Sequence, residues 1–338
     1  MIAAAAERAV AVRRSAGLFA LPDRGLLQVE GADRVRWLDG MLSNHVGALA
    51  PGPDHSGCHA LLLTPTARIL ADPHVLHRGE AFWLELCSDA AAESTRVHLE
   101  RYVIADDVTL QDVSNLWARF SLEGPMAAGL LERVTGTPLR LAPNACADLR
   151  IGSVAAVVAA YGFSGAPGFQ LFVPSALGAD VAESLHAEGG ASLVEGDAAT
   201  LEILRIESGI PRLGAELDED VLPAEAGLIA SAVSLTKGCY TGQEIVARLE
   251  SRGQVAHRLV GLRCEGQTPP APDTPLEDES GKRVGEVTSA CLSAVAGPIA
   301  LGYVRRPFDT PGTALRAGSQ QAWVAELPFV APVLEEAG

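Results

Sequence analysis

The residues best placed to do chemistry lie in one stretch, Ser234–Arg252, which reads SLTKGCYTGQEIVARLESR. Gly238 and Gly242 bracket Cys239, Tyr240 and Thr241, and glycine lets a backbone take positive φ and approach a ligand closely. Lys237 stands two residues before Cys239, and a helix start at Gln243–Glu244 follows it. A neighbouring cation and a helix N-terminus both favour thiolate over thiol. This makes Cys239 a candidate active thiol with Lys237 as its partner. Lys237 is also one of only two lysines in the chain, the other being Lys282. The residues alone allow a second reading, a glycine-rich turn entering a helix with Cys239 buried and inert, because the motif contains no positioned base.

Other candidate groups are more dispersed. Cys58, Cys87, Cys146, Cys264 and Cys291 form no C-x-x-C pair, so neither a zinc nor an iron–sulfur motif is present. A disulfide framework is not expected in a long chain with so few cysteines, and these five read as small buried hydrophobes. His45, His55, His59, His74 and His77 are close in sequence but offer no i, i+4 pair on a helix. No metal is expected. Asp218-Glu219-Asp220 reads as a solvated turn.

The elements that must carry these residues are mixed α+β. Gly25–Glu30 reads as a strand, followed by a helix from Asp33 through Asn44. Cys58–Leu63 and Arg68–His77 read as two strands joined by a turn at Thr64–Ala67, with a third strand at Ala81–Cys87. Asp89 starts a helix to about Val103, and strands follow near Val108–Val113 and Trp117–Leu122. The pattern recurs loosely, with strands at Val154–Ala160 and Phe169–Val173 and helices at Pro174–Glu188 and Asp197–Ile206. This suggests two related halves. From about Arg258 the chain changes to short, evenly spaced strands with glycine turns, at Arg258–Cys264, Arg283–Ser289, Pro298–Val304, Gly312–Ala317 and Gln321–Leu327. Such spacing predicts a small antiparallel β-barrel, with the boundary between about Gln254 and Leu259. The expected division is 1–115, 116–256 and 257–338.

Composition sets the outer limits. The 338 residues are 48% hydrophobic and 20% charged, enough for a substantial core in two or three domains. A net charge of −16 repels a phosphate backbone, so nucleic acid is not an expected partner. A local positive site for a small anion remains compatible with this charge. Met1–Ala20 is alanine-rich but interrupted by Glu7, Arg8, Arg13 and Arg14, unlike a signal peptide. No apolar run reaches the ~20 residues that span a bilayer. The segment reads as a short surface helix on a cytoplasmic protein.

The run Lys237-Gly238-Cys239-Tyr240-Thr241-Gly242-Gln243-Glu244 resembles the loop that marks the YgfZ family, folate-dependent proteins that support iron–sulfur enzymes. Leu204-Arg205-Ile206-Glu207-Ser208-Gly209-Ile210-Pro211, continuing to Leu228, resembles a companion motif shared with the aminomethyltransferase of glycine cleavage. Leu62–Asp72 resembles the family's strand-turn-strand, and Gly285-Glu286-Val287-Thr288-Ser289 its barrel motif. These matches cover almost the whole chain in order. The resemblance implies a T-protein-like α/β body around a central hole, plus the C-terminal barrel. Tetrahydrofolate would sit in the hole, with its pterin deep and its glutamate tail near the mouth. It also implies folate contacts from Asp72 and Arg205, and from Tyr240, Gln243 and Glu244 in the loop. Two departures stand out. In Gly162–Gln170, Ala166 and Gln170 occupy positions where carboxylates are expected, and the acidic pair before the strand is reduced to Ala71-Asp72. Both changes favour the YgfZ branch.

The leading expectation is therefore a tetrahydrofolate-binding accessory protein for assembly or repair of iron–sulfur enzymes, with Cys239 as its active thiol. Its expected partners are folate and iron–sulfur enzymes or their assembly proteins. One alternative is a folate-dependent aminomethyltransferase or demethylase acting on a small amine. The other is a scaffold that has lost folate.

Overall fold

The protein, seen in a computed structural model that describes residues 2–253 and 255–331, is built on two sheets packed face to face. The first sheet runs in the order Gly57–His59, His74–His77, Phe82–Leu86, Gly25–Glu30, Thr109–Asp112. The second runs Cys146–Ile151, Val154–Ala159, Gly168–Pro174, Trp117–Glu123, Ala16–Ala20, Leu193–Gly196. Pairing is antiparallel except between the last two strands. Helices Arg34–Met41 and Asp89–Glu100 cover the outer face of the first sheet. Helices Ala127–Thr135 and Gly178–Gly189 cover the outer face of the second.

The pleat explains how one strand serves both layers. In Phe82–Leu86 every residue is buried. Phe82, Leu84 and Leu86 face the helices, while Trp83 faces the opposite sheet against Phe172 and Trp117. The alternate positions of this inner layer also carry charge: Glu85 and Arg119 are buried between the sheets.

The C-terminal strands His257–Cys264, Gly297–Arg305, Arg283–Ser293, Pro275–Glu277, Ala314–Ala317 and Gln320–Ala325 close into an antiparallel barrel. Its interior is filled by residues such as Leu262, Val287, Val304 and Val324. Its outer face packs through Ile299 and Leu301 on the helices Ile2–Val12 and Ala198–Ser208. Among the described residues, no helix is long and apolar enough to cross a membrane.

Several sequence expectations need correction. The first twenty residues are not simply a surface helix. Ile2–Val12 buries Ala5, Ala9 and Val12, and Ala16–Ala20 is an interior strand of the second sheet. Ser88, not Asp89, caps the next helix, accepting from the Ala91 N–H. The strands Cys146–Ile151, Leu193–Gly196 and Pro275–Glu277 and the helix Ala127–Thr135 carried no readable signal. Gln254, at the expected boundary, lies outside the described residues. The expected continuous strands at Cys58–Leu63 and Arg68–His77 are each broken. Leu62–Leu63 and Ile69–Ala71 form a separate two-stranded piece. The break falls at Asp72-Pro73, where proline removes a ladder donor and Ala60 N–H bonds the Pro73 carbonyl at 3.0 Å.

Candidate functional site

A cavity of about 1000 Å³ opens where the two sheets, the helix Ala198–Ser208 and the barrel meet. Its wall includes Asp72, His59, His74, Arg24, Arg205 and Arg212. Gly162 and Phe163 reach it from the second sheet, and Leu259 and Leu327 from the barrel. The strand break places Asp72 here. Asp72 Oδ1 is shut off from solvent without a hydrogen-bond partner among the described residues. Burial pushes its carboxyl up to about 6, against the opposing pull of Arg24 and Arg212.

His59 and His74 stack at 4.8 Å, and His74 stacks on Tyr161 at 3.8 Å with the rings nearly parallel. Burial drives His59 down to about 4 and His74 well below its ordinary value. Both are neutral at physiological pH, and His74 Nδ1 is buried without a partner among the described residues. His74 is thus sandwiched between His59 and Tyr161, and His59 and His74 line the cavity as part of this ring stack beside the Asp72 carboxyl.

A charge network supports this wall. Glu85 accepts from Arg119, from Arg24 Nε at 2.7 Å and from the Tyr161 hydroxyl at 2.5 Å. Burial opposes its ionisation, but the two guanidiniums win and hold its carboxyl below the usual value. Nearby, Glu123 accepts from the hydroxyls of Ser121 and Ser164 and from the backbone N–H groups of Phe163 and Ser164. This arrangement gives a physical reason for Gln170. Its amide donates to Ser121 Oγ at 2.7 Å and to the Tyr161 carbonyl at 3.0 Å, which an ionised glutamate could not do.

Arg205 lies in the cavity wall with its donors engaged by the protein. Nε bonds Glu202 at 2.8 Å, Nη1 bonds Glu216 at 2.8 Å and the Ile210 carbonyl at 3.2 Å, and Nη2 bonds Glu202 at 2.5 Å and Ser289 Oγ at 2.6 Å. That uses all five N–H groups of a guanidinium. Thr288 Oγ1 donates to the second Glu216 oxygen at 2.9 Å. The barrel motif containing Thr288 and Ser289 thus docks the barrel onto the body through Arg205 and Glu216.

The loop at 237–244 lies elsewhere. The Lys237 ammonium has no solvent exposure. It donates to the carbonyls of Asp39, Leu42 at 2.8 Å and Asn44 at 2.9 Å, and lies 3.2 Å from Asp39 Oδ1. These groups end the helix Arg34–Met41, so Lys237 acts as a cationic C-cap. Burial lowers its pKa, and Asp39 opposes that. Cys58 is the thiol that feels its charge, although burial still drives that thiol up to about 12.

Cys239 is exposed beside the open Gly238, and it does not line the cavity. Tyr240 is buried in the cluster around Leu61, Leu63 and Ala67. Gly242 at φ +85° sits against the Thr64–Ala67 turn, where a Cβ would stand 2.8 Å from the Thr64 carbonyl. Gln243 opens the helix Gln243–Arg252, and exposed Glu244 pairs with Arg248 at 2.8 Å.

The structure thus brings Asp72 and Arg205 to one cavity and places Lys237, Cys239, Tyr240, Gln243 and Glu244 around a separate loop. The reading of Ser234–Arg252 did not point to His59, His74, Arg24 or Arg212. His59 and His74 carried only the weak clustering of histidines around the strand-turn-strand, and Arg212 falls within the Leu204–Leu228 motif without standing out there.

A double-sheet α/β body with a closed six-stranded barrel docked over a central cavity defines the architecture of a glycine cleavage T-protein. The chain matches the GCVT N-terminal domain over residues 1–237 and the glycine cleavage T-protein C-terminal barrel domain over residues 257–330. It belongs to this family. It is 30% identical over 334 residues to an aminomethyltransferase of Cutibacterium acnes, covering 94% of this chain and 88% of that one. It is 32% identical over 325 residues to an aminomethyltransferase of Rubrobacter xylanophilus, covering 94% and 84%. The structure of aminomethyltransferase T from Bartonella henselae superposes with a TM-score of 0.86 over 98% of this chain and 91% of that one, at 24% identity. That likeness concerns the fold.

Proposed function

We propose that the chain binds tetrahydrofolate in the central cavity and serves as a folate-dependent one-carbon or aminomethyl transferase acting on a small amine. The observation that carries this reading is Asp72, held by a strand break in a cavity of about 1000 Å³ beside the stacked His59, His74 and Tyr161 rings. Those residues fit a pterin. A flat heteroaromatic ring needs an apolar or aromatic slot and a few fixed polar groups. Here it would meet neutral imidazoles, while the unpartnered Oδ1 of Asp72 and Nδ1 of His74 mark polar atoms that the protein itself does not satisfy. When bound, the folate supplies the nitrogen that accepts the carbon unit. Asp72, with a carboxyl near 6, is ionised for most molecules at pH 7 and can hold a proton at its outer oxygen or orient an ammonium. The relatives named aminomethyltransferase support this reading over an iron–sulfur role.

The test is folate-dependent release of formaldehyde or ammonia from small methylamines by the purified protein. Turnover lost in Asp72→Asn and retained in Cys239→Ala is the expected result. No turnover with any such amine would end the transferase reading.

A second reading, of the YgfZ type, rests on the exposed Cys239 carried by a loop that Lys237 pins in place. In it the protein supports iron–sulfur enzymes through that thiol, with those enzymes or their assembly proteins as partners. Iron–sulfur enzyme activity that survives Cys239→Ala in cells would remove it.

A further inference from the structure

Arg24 and Arg212 differ from Arg205, the third arginine of the cavity wall. Arg24 spends Nε on Glu85 and lies 4.1 Å over the Phe163 ring, leaving its Nη groups without a hydrogen bond to any described residue. Arg212 is half-exposed, and its guanidinium reaches Glu202 only at 3.6 Å. Glu202 is already held by two nitrogens of Arg205. Arg24, Arg212, Asp72 and Cys87 all line this one cavity, and the charge of both guanidiniums opposes the burial that raises the Asp72 carboxyl and the Cys87 thiol. Each guanidinium meets one carboxylate through Nε alone, Arg24 with Glu85 at 2.7 Å and Arg212 with Glu202 at 3.6 Å, and their Nη groups make no hydrogen bond to a described residue. Two cations with open donors therefore stand beside one carboxyl with an unpartnered oxygen.

We propose that Arg24, Arg212 and Asp72 form a binding site for a small zwitterion of amino-acid type, with its carboxylate on the two guanidiniums and its ammonium on Asp72. Guanidinium forks suit a carboxylate, and a carboxylate suits an ammonium. The inference deepens the transferase reading, because it narrows the small amine to one that carries a carboxylate. The same fork pair could instead take the glutamate tail of folate, and the two sources are separable by experiment.

Calorimetric titrations would use N-methylglycine, methylamine, p-aminobenzoylglutamate and tetrahydrofolate as separate probes. Saturable binding of N-methylglycine, at least roughly tenfold stronger than methylamine, is expected. That binding should fall by a similar factor in Arg212→Gln, and also in Asp72→Asn. Arg212→Gln carries the test because its side chain makes only a half-exposed 3.6 Å ion pair to Glu202, which Arg205 also holds, whereas Arg24→Gln would disturb buried Glu85. Equal binding of methylamine and N-methylglycine would overturn the proposal. So would Arg212-dependent, Asp72-independent binding of p-aminobenzoylglutamate without any binding of N-methylglycine, which assigns the fork to the folate tail. N-methylglycine binding in a protein that ignores tetrahydrofolate would leave this site standing and remove the folate reading alone.

Discussion

Asp72 concentrates the cost and the use of this cavity in one carboxyl. Its folded-state value of about 6 lies above the ordinary 3.8 because burial opposes its charge. Between those values the folded protein binds more protons than the unfolded chain, so stability falls as pH rises from about 4 through 6 and is level beyond. A gap of this size corresponds to about 3 kcal/mol. Asp72→Asn should therefore stabilise the protein by about 1–3 kcal/mol at pH 7.5 and give no gain at pH 4. Urea denaturation at both pH values checks this. Equal effects at the two would contradict the account of burial. A residue that weakens the fold while sitting in a cavity fits a functional role better than a structural one.

At the scale of elements, Lys237 and Cys239 share a motif but do different things. Lys237 ends a helix: its ammonium donates to the carbonyls of Asp39, Leu42 and Asn44. Lys237→Met should cost about 3 kcal/mol. Cys239→Ser, at an exposed position, should stay within about 0.5 kcal/mol. Thermal unfolding of the two variants side by side tests the division. Similar losses in both would show that the thiol is packed. Part of this was legible beforehand. Gly25–Glu30 was read to the residue, and Asp197 as a helix start matches its side chain accepting from Thr200. Local signals sufficed there, namely alternation and a cap. The strand break at Asp72 was not legible. The apolar residues of Arg68–His77 read as one strand and mask a change of partner sheet across Asp72-Pro73. Nor could the sequence say that the Lys237 side chain turns toward a helix end almost two hundred positions earlier. Only tertiary packing fixes that direction.

For the whole molecule, the barrel is held over the cavity by a buried polar joint as well as by apolar contact. Arg205 links the helix Ala198–Ser208, the loop at Ile210–Glu216 and the barrel strand Arg283–Ser293. Lysine in its place keeps the charge and loses the fork. Arg205→Lys should lower stability by about 2–4 kcal/mol and speed hydrogen exchange in the barrel strands that face the body. A variant of unchanged stability that nevertheless fails to bind folate would instead make Arg205 a direct ligand contact, as the family resemblance implied. The fold class and the barrel were readable because evenly spaced short strands and an ordered set of motifs span the chain. The cavity wall was not, because its residues come from segments far apart in sequence that meet only when the two sheets and the barrel are assembled.

The central claim is that ligand chemistry resides in the cavity at Asp72 and not at the exposed thiol. Calorimetric titration of tetrahydrofolate into wild type, Asp72→Asn and Cys239→Ala measures it directly. Micromolar saturable binding, weakened about tenfold or more in Asp72→Asn and unchanged in Cys239→Ala, is the predicted result. Binding that survives in Asp72→Asn and disappears in Cys239→Ala would contradict it.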